Sequence, residues 1–296
     1  MTRAHTGNVG PASKSTHAAP TRSTLMNTVT TSTTSAWTGM VTVDDTALAV
    51  TDTGGTGRTV VYLNGAYADQ SHWRPVIDEL GTGFRHITFD ERARGKSKTS
   101  ADYSFEACVR DVDAVLAARG VTDRPILVGW SYGATTAVHW AERNPGRTVG
   151  VVCVDGAMPY GLTGEEGRER IRKLFRRMRF VLPLTRPFGM AARMSADEHA
   201  EVNIEINELV AAIAPVLDRV ADPVRYVLAT GANLGGGQEE MEAVRASLDP
   251  VLARNPNITV SAKVPSNHSK ILRKDFRAVA EAVRETVARA PRSAER

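Results

Sequence analysis

Short apolar segments alternate with amphipathic stretches along most of this 296-residue chain, and this alternation constrains its fold more than any other feature. The apolar segments are RTVVYLNG, FRHITFD, PILVGW, TVGVVCVDG, VRYVLAT and ITVSAKV. Between them, SFEACVRDVDAVLAARG is typical of a helix that is N-capped by Ser104 and stopped by Gly120. Strands this apolar are buried on both faces, so the sequence predicts an α/β fold with a mostly parallel sheet.

The predicted core occupies residues 40–155 and 223–296. MVTV and ALAVTDTG flank Asp44-Asp45 and predict an antiparallel hairpin at its start. GQEEMEAVRASLDPVLAR predicts one helix before the last strand, and a terminal helix is expected from about Lys270.

Residues 156–222 interrupt the alternation, because they contain no strand pattern. Two helices are predicted there. The first has an apolar stripe at helical spacing, made of Ile171, Leu174, Phe175 and Met178. The second opens with the capping-box pair Ser195 and Glu198. A helical insertion of this length, placed after the sixth strand, predicts a lid.

Residues 1–39 are rich in Ser and Thr and contain no acidic residue, so we expect a disordered tail. An over-extended start is an alternative, because Met26 and Met40 precede the first clear strand. The segment lacks the apolar region of a secretory signal. No apolar run approaches the ~20 residues of a membrane span, so no integral membrane contact is expected.

Charge and cysteine content exclude several classes of function. The net charge is +4, and three of these charges belong to the tail residues Arg3, Lys14 and Arg22. The rest of the chain therefore carries +1, which gives no reason to expect a nucleic-acid partner. Cys108 and Cys153 lack metal-ligand spacing, which predicts free thiols and a cytoplasmic location. ARGKSKT imitates a phosphate-binding loop, but that motif requires glycine where Asp90 stands.

The pentapeptide Gly129-Trp130-Ser131-Tyr132-Gly133 joins a predicted strand to a predicted helix. In this context G-x-S-x-G forms a sharp, strained turn that exposes the serine at the carboxyl edge of a sheet. Side chains at 129 and 133 would collide with the neighbouring helix and strand. The pattern predicts that Ser131 is a nucleophile.

A serine nucleophile needs a base and an acid that orients the base. His268 follows the last strand, so it combines a strand-end position with the chain order Ser, acid, His. Asp155 ends the strand before the insertion and is the predicted acid. The loop after VRYVLAT has no acid before Glu239, which is the alternative.

Backbone amides are expected to bind the developing oxyanion. Ala66 follows a strand end and Tyr132 opens a helix, so their N–H groups could converge near Ser131. Tyr67 and Trp130, with Phe175 and Met178 of the lid, are predicted to line an apolar pocket.

Four motifs resemble the α/β-hydrolase superfamily over about residues 42–290. They are GWSYG, the nucleophile elbow; YLNGAYADQSHW, the oxyanion segment; FDERARGKS, the loop after the fourth strand; and SNHS, the histidine loop. Three positions depart from the family pattern: Asn64 stands where many members have histidine, Ala93 replaces a glycine, and Asn233 lies in the loop that usually supplies the acid. The resemblance implies an eight-stranded sheet and a Ser–His–acid mechanism without a cofactor or a metal. An acid at Asp155 resembles the arrangement in haloalkane dehalogenases and some lactonases. Dehalogenases and epoxide hydrolases, however, use an aspartate nucleophile, and Ser131 argues against both.

The sequence therefore predicts a serine hydrolase that cleaves an ester, thioester or lactone of a small, apolar acyl substrate through an acyl-enzyme. Two alternatives remain. The first is another reaction on this fold: C–C bond hydrolysis, a lyase reaction or cofactor-free perhydrolysis. The second is a ligand-binding protein without turnover. Residues 165–179 carry a local charge of +4, which is typical of a solvated helix face but could also attract an acidic substrate or a membrane surface.

Overall fold

A computed structural model describes residues 35–185, 191–231 and 238–289, apart from the side chains of Gln238 and Glu240. All of these residues belong to one compact unit. The strands are β1 (Trp37–Val43), β2 (Thr46–Asp52), β3 (Arg58–Leu63), β4 (Phe84–Phe89), β5 (Ile126–Trp130), β6 (Gly150–Val154), β7 (Val224–Ala229) and β8 (Ile258–Val264). The helices are α1 (Arg74–Leu80), α2 (Phe105–Ala118), α3 (Tyr132–Arg143), α4 (Gly164–Met178), α5 (Leu182–Thr185), α6 (Ala196–Ala211), α7 (Ala214–Arg219), α8 (Gln238–Ala246), α9 (Asp249–Arg254), α10 (Ile271–Lys274) and α11 (Phe276–Arg289).

The eight strands form one sheet in the order β1-β2-β4-β3-β5-β6-β7-β8. β1 and β2 form the predicted antiparallel hairpin, with Val43 opposite Thr46, and β2 is also antiparallel to β4. All other neighbouring strands are parallel. The predicted mostly parallel, eight-stranded sheet is confirmed. The strand β1 begins at Trp37, two residues before the predicted end of the tail at residue 39, and residues 1–34 lie outside the described residues.

Helices cover both faces of the sheet, because alternate side chains of each strand point to opposite sides. Leu127 of β5 packs in a core with apolar residues of α2 and α3. Its neighbours Ile126 and Val128 pack in a second core with residues of α1 and α11. Every residue of β5, β6 and β7 is buried. No described helix is long and apolar enough to cross a membrane.

Four described helices, α4 to α7, lie between β6 and β7. The capping box is confirmed: Ser195 Oγ accepts a hydrogen bond from the Glu198 amide at 3.2 Å, and Glu198 Oε2 accepts one from the Ser195 amide at 2.6 Å. The predicted stripe on α4 is narrower than expected, because Leu174 is 51% exposed whereas Ile171 and Phe175 are buried. Leu174 lies about a quarter turn from the centre of the buried stripe.

Two predicted helices are each divided. The helix expected over GQEEMEAVRASLDPVLAR ends at Ala246, and α9 starts with a proline in its first turn. Proline has no N–H and its ring clashes with the preceding turn, so Pro250 begins a new helix rather than continuing the old one. The terminal helix is likewise divided into α10 and α11, with Asp275 between them.

Candidate active site

The turn between β5 and α3 holds Ser131 in the left-handed region of backbone space, with φ of 56°. Its amide donates to the carbonyl of Val154 at 3.0 Å, which ties the turn to β6. A Cβ atom at Gly129 would lie 2.2 Å from the Gly133 carbonyl oxygen, and one at Gly133 would lie 2.2 Å from that of Leu63. Both glycines are therefore required by close packing, and the predicted strained turn is present.

Asp155 and His268 meet at the carboxyl edge of the sheet. Asp155 Oδ2 lies 2.8 Å from His268 Nδ1, and Asp155 Oδ1 accepts a hydrogen bond from the Ala229 amide at 3.0 Å. Asp155 is 2% exposed. One of its carboxyl oxygens is bound by an amide of β7, and the other contacts the imidazole. A Cβ atom at Gly156 would lie 2.3 Å from the Ser131 carbonyl oxygen, which brings the turn that carries the acid directly against the turn that carries the serine.

The carboxylate at this position fixes the histidine tautomer. A buried carboxylate accepts hydrogen bonds, so His268 donates from Nδ1 and keeps Nε2 as the basic nitrogen. The alternative acid, Glu239, is exposed in the first turn of α8. Residues 232–237 of the loop after β7 lie outside the described residues.

A cavity of about 370 Å³ contains the three predicted catalytic residues together with Tyr132. Its apolar wall includes Ile206 and Val210 of α6 and Met241 and Val244 of α8. Within the described part of the chain the Ser131 hydroxyl makes no hydrogen bond.

A larger cavity of about 760 Å³ lies beside the antiparallel edge of the sheet, between β2, β4 and the segment that leads into α1. Its polar side chains include Asp69, Asp90 and Lys96. The described residues that border it include neither a serine on a strained turn nor a histidine, so the chemistry selects the smaller cavity at Ser131.

A buried network holds the predicted oxyanion segment in place. Glu91 accepts hydrogen bonds from the amide and the side chain of Asn64, both at 2.8 Å. Trp73 Nε1 donates to Asn64 Oδ1 at 2.7 Å, and Arg94 Nε donates to the Ala66 carbonyl at 2.9 Å. Glu91 and Arg94 were not predicted from the sequence, although the charged run from Asp90 to Arg94 that follows the buried strand β4 was an available signal.

Tyr132 lines the cavity, whereas Ala66 does not appear among its described lining residues. Gly133 packs tightly against the carboxyl end of β3, because a Cβ atom added there would lie 2.7 Å from the Asn64 carbonyl oxygen. The start of α3 and the segment that carries Ala66 are therefore neighbours. Their role as an oxyanion hole stays a prediction.

Tyr67 and Trp130 are not among the described residues that line this cavity, and their place in a substrate pocket stays a prediction. Trp130 is the last residue of β5 and packs in the second core with Ile126 and Val128, on the same face of the sheet. Its ring lies 5.6 Å from the His268 ring and 5.7 Å from the His72 ring. The ring of Tyr67 lies 5.3 Å from that of His199.

Phe175 and Met178 are likewise absent from the described lining of the cavity. They pack in the cluster that joins α4 to α6, where the Phe175 ring lies 6.4 Å from that of Tyr67. These residues anchor the helical segment to the core instead of lining the cavity.

We expect Glu91 to make the stability of the folded protein depend on pH. Burial raises the pKa of Glu91 from 4.5 to about 7. Between these values the folded state binds a proton that the unfolded chain has released, so stability falls as the pH rises through this window. We expect this carboxyl group to contribute about 3 kcal/mol to the fall in the free energy of unfolding. Glu91→Gln removes that contribution.

Urea unfolding at both ends of the window measures this difference between wild type and Glu91→Gln. Glu165, which is exposed on α4, provides the control, because Glu165→Gln should keep the pH dependence of the wild type. Equal pH dependence in Glu91→Gln and wild type would contradict the prediction.

Comparison with known proteins places this chain in a family. Residues 60–291 match the model of the alpha/beta hydrolase family. The chain is similar to a haloalkane dehalogenase from Mesorhizobium japonicum, with 30% identity over 137 residues that cover 46% of this chain and 44% of that protein. It is also similar to an N-formylmaleamate deformylase from Pseudomonas putida, with 33% identity over 104 residues that cover 34% of this chain and 38% of that protein. The chain thus spans less than half the length of these curated relatives.

Solved structures resemble the fold over a larger part of the chain. A thermophilic esterase from Thermogutta terrifontis has a TM-score of 0.65 and 21% identity, covering 86% of this chain and 99% of that one. An E-2-(acetamidomethylene)succinate hydrolase has a TM-score of 0.63 and 18% identity, covering 86% and 100%. Because the family model matches most of this chain, the chain belongs to the alpha/beta hydrolase family.

Proposed function

We propose that the protein is a serine hydrolase that cleaves a carboxylic ester, thioester or lactone through an acyl-enzyme. One observation carries the proposal: a buried carboxylate, Asp155, lies 2.8 Å from His268, and both share a cavity with Ser131 on its strained turn.

In the proposed mechanism, His268 Nε2 removes the hydroxyl proton of Ser131 as the oxygen attacks the substrate carbonyl. The negative charge that develops on the carbonyl oxygen is bound by the amides of Ala66 and Tyr132. The imidazolium, stabilised by Asp155, then protonates the leaving group, and an acyl group remains on the serine. A water molecule deprotonated by His268 hydrolyses this acyl-enzyme and restores the three side chains.

The walls of the cavity favour an apolar acyl group. Ile206, Val210, Met241 and Val244 face it, and no charged side chain other than the proposed catalytic pair borders it among the described residues. Because two of these residues belong to α6, we propose that the segment 156–222 acts as a lid and determines which acyl groups fit.

Two alternative functions are compatible with this site. The names of the relatives describe dehalogenation and deformylation, so family membership is compatible with other hydrolytic reactions. Ser131 argues against dehalogenation through an aspartate nucleophile. C–C bond hydrolysis, a lyase reaction and cofactor-free perhydrolysis use the same scaffold, and a protein that binds a ligand without turnover would keep the cavity.

Covalent labelling tests the proposal. We expect a fluorophosphonate probe to modify Ser131 stoichiometrically, because a serine activated by a histidine attacks phosphorus as it attacks a carbonyl. Peptide mapping by mass spectrometry locates the adduct, and Ser131→Ala should remain unlabelled. A folded wild-type protein that resists the probe would contradict the proposal, and ligand-induced thermal stabilisation without turnover would favour a binding protein.

A further inference from the structure

Helix α4 has two faces of different character. Its inner face packs in an apolar cluster with α5 and α6, to which Ile171 and Phe175 contribute buried side chains. The same helix contains most of the cations that give residues 165–179 a local charge of +4. The opposite face is solvent-exposed, and three of these cations lie on it: Arg170, Lys173 and Arg177.

The basic residues of α4 fall into two groups. Arg168, Arg172 and Arg176 point along the flanks of the helix and form ion pairs with Glu208, Glu201 and Glu169, respectively. Arg170, Lys173 and Arg177 are spaced at i, i+3 and i+7, so they share one face of the helix. They form no ion pair within the described part of the chain. Glu166, four residues before Arg170, is exposed on the same face, so these four residues give the face a net positive charge of about +2.

Large exposed apolar side chains flank or follow these cations. Leu174 lies at the edge of the positive face and is 51% exposed, and Val181, after the end of α4, is 50% exposed. Phe180 and Leu184 are 72% and 71% exposed. We call the seven residues the outer face: Arg170, Lys173, Leu174, Arg177, Phe180, Val181 and Leu184.

We propose that the outer face docks the protein on an anionic lipid surface. A solvated helix face needs cations but no exposed aromatic and aliphatic side chains, and four large exposed apolar residues within positions 174–184 are more than the isolated ones normal on a protein surface. A surface that offers both negative charge and an apolar interior matches both components at once: lysine and arginine remain at the headgroups while phenylalanine and leucine enter the acyl boundary. An acidic protein or a nucleic acid matches only the charges.

The position of the outer face connects docking with the candidate active site. The inner face of α4 packs against α6, and α6 supplies Ile206 and Val210 to the wall of the cavity. Docking therefore places the covering of the cavity next to the membrane, where apolar acyl substrates dissolve. This last consequence rests on the proposed hydrolase function, whereas the docking itself does not.

Vesicle sedimentation with the full chain tests the proposal. We expect binding to vesicles of phosphatidylcholine mixed with phosphatidylglycerol, weak binding to phosphatidylcholine alone, and a loss of binding as salt rises. The outer-face triple variant Arg170→Gln/Lys173→Gln/Arg177→Gln should bind about 100-fold more weakly, since each cation near such a surface contributes about a fivefold factor. Phe180→Ser/Leu184→Ser should lose about tenfold.

A matched control removes the same charge elsewhere. Lys263, Arg273 and Lys274 are exposed on β8 and α10, and their triple replacement by Gln should leave binding close to that of the wild type. Ser131→Ala should also bind normally, which separates docking from hydrolysis. Absence of binding to the anionic vesicles, or equal losses in the two triple variants, would overturn the proposal. Normal binding by Phe180→Ser/Leu184→Ser would also overturn it and would indicate a purely acidic partner.

Discussion

Replacement of Ser131 by Ala is expected to lower kcat for a p-nitrophenyl ester by about 10⁶-fold, and His268→Ala to lower it by a similar factor. The reason is that the two side chains act as one unit. Without the imidazole the hydroxyl keeps its proton and attacks poorly, and without the hydroxyl the imidazole has no nucleophile to activate. The double variant should therefore be no slower than either single variant.

Initial rates of the two single variants and the double variant measure this non-additivity. Ser266 lies two residues before His268, and its buried hydroxyl has no hydrogen-bond partner within the described part of the chain. Ser266→Ala is thus a matched control that should retain most of the activity. If the losses of the two single variants instead multiplied in the double variant, Ser131 and His268 would be acting independently and the proposed proton transfer would be wrong.

The parts of the fold that depend on local patterns could be predicted from the sequence. Apolar runs located the strands, Ser104 and Gly120 marked the ends of α2, and the elbow placed Ser131 between a strand and a helix. Each of these features needs only neighbouring residues, because capping, turn strain and strand burial act within a few positions along the chain.

Features that depend on contacts between distant residues could not be predicted in the same way. Asn64 and Glu91 are 27 residues apart, and their hydrogen bonds follow from the adjacency of β3 and β4. Tyr67 was expected in the pocket, but its packing partners come from α4 and α6, whose orientation no periodic pattern specifies. The side of the sheet occupied by Trp130 could have been predicted, since Trp130 follows Val128 by two residues on β5 and such residues share a face.

Asp155→Asn is expected to lower kcat by about 10⁴-fold while the protein stays folded, by analogy with serine proteases that lack the orienting acid. An asparagine can keep the acceptor for the Ala229 amide, but its NH₂ group would face His268 Nδ1 as a donor. The imidazole would then carry its proton on Nε2, where a base is needed, and the hydroxyl of Ser131 could not be deprotonated.

Kinetics of Asp155→Asn and Glu239→Gln distinguish the two acids considered for this role. Glu239→Gln should keep the wild-type rate, because Glu239 is exposed on α8 whereas Asp155 Oδ2 lies 2.8 Å from His268 Nδ1. Thermal unfolding shows whether Asp155→Asn is folded at the assay temperature. The reverse pattern, with activity retained in folded Asp155→Asn and lost in Glu239→Gln, would move the acid to the region after β7. In that case the contact at 2.8 Å would support the structure of the β6 turn rather than catalysis.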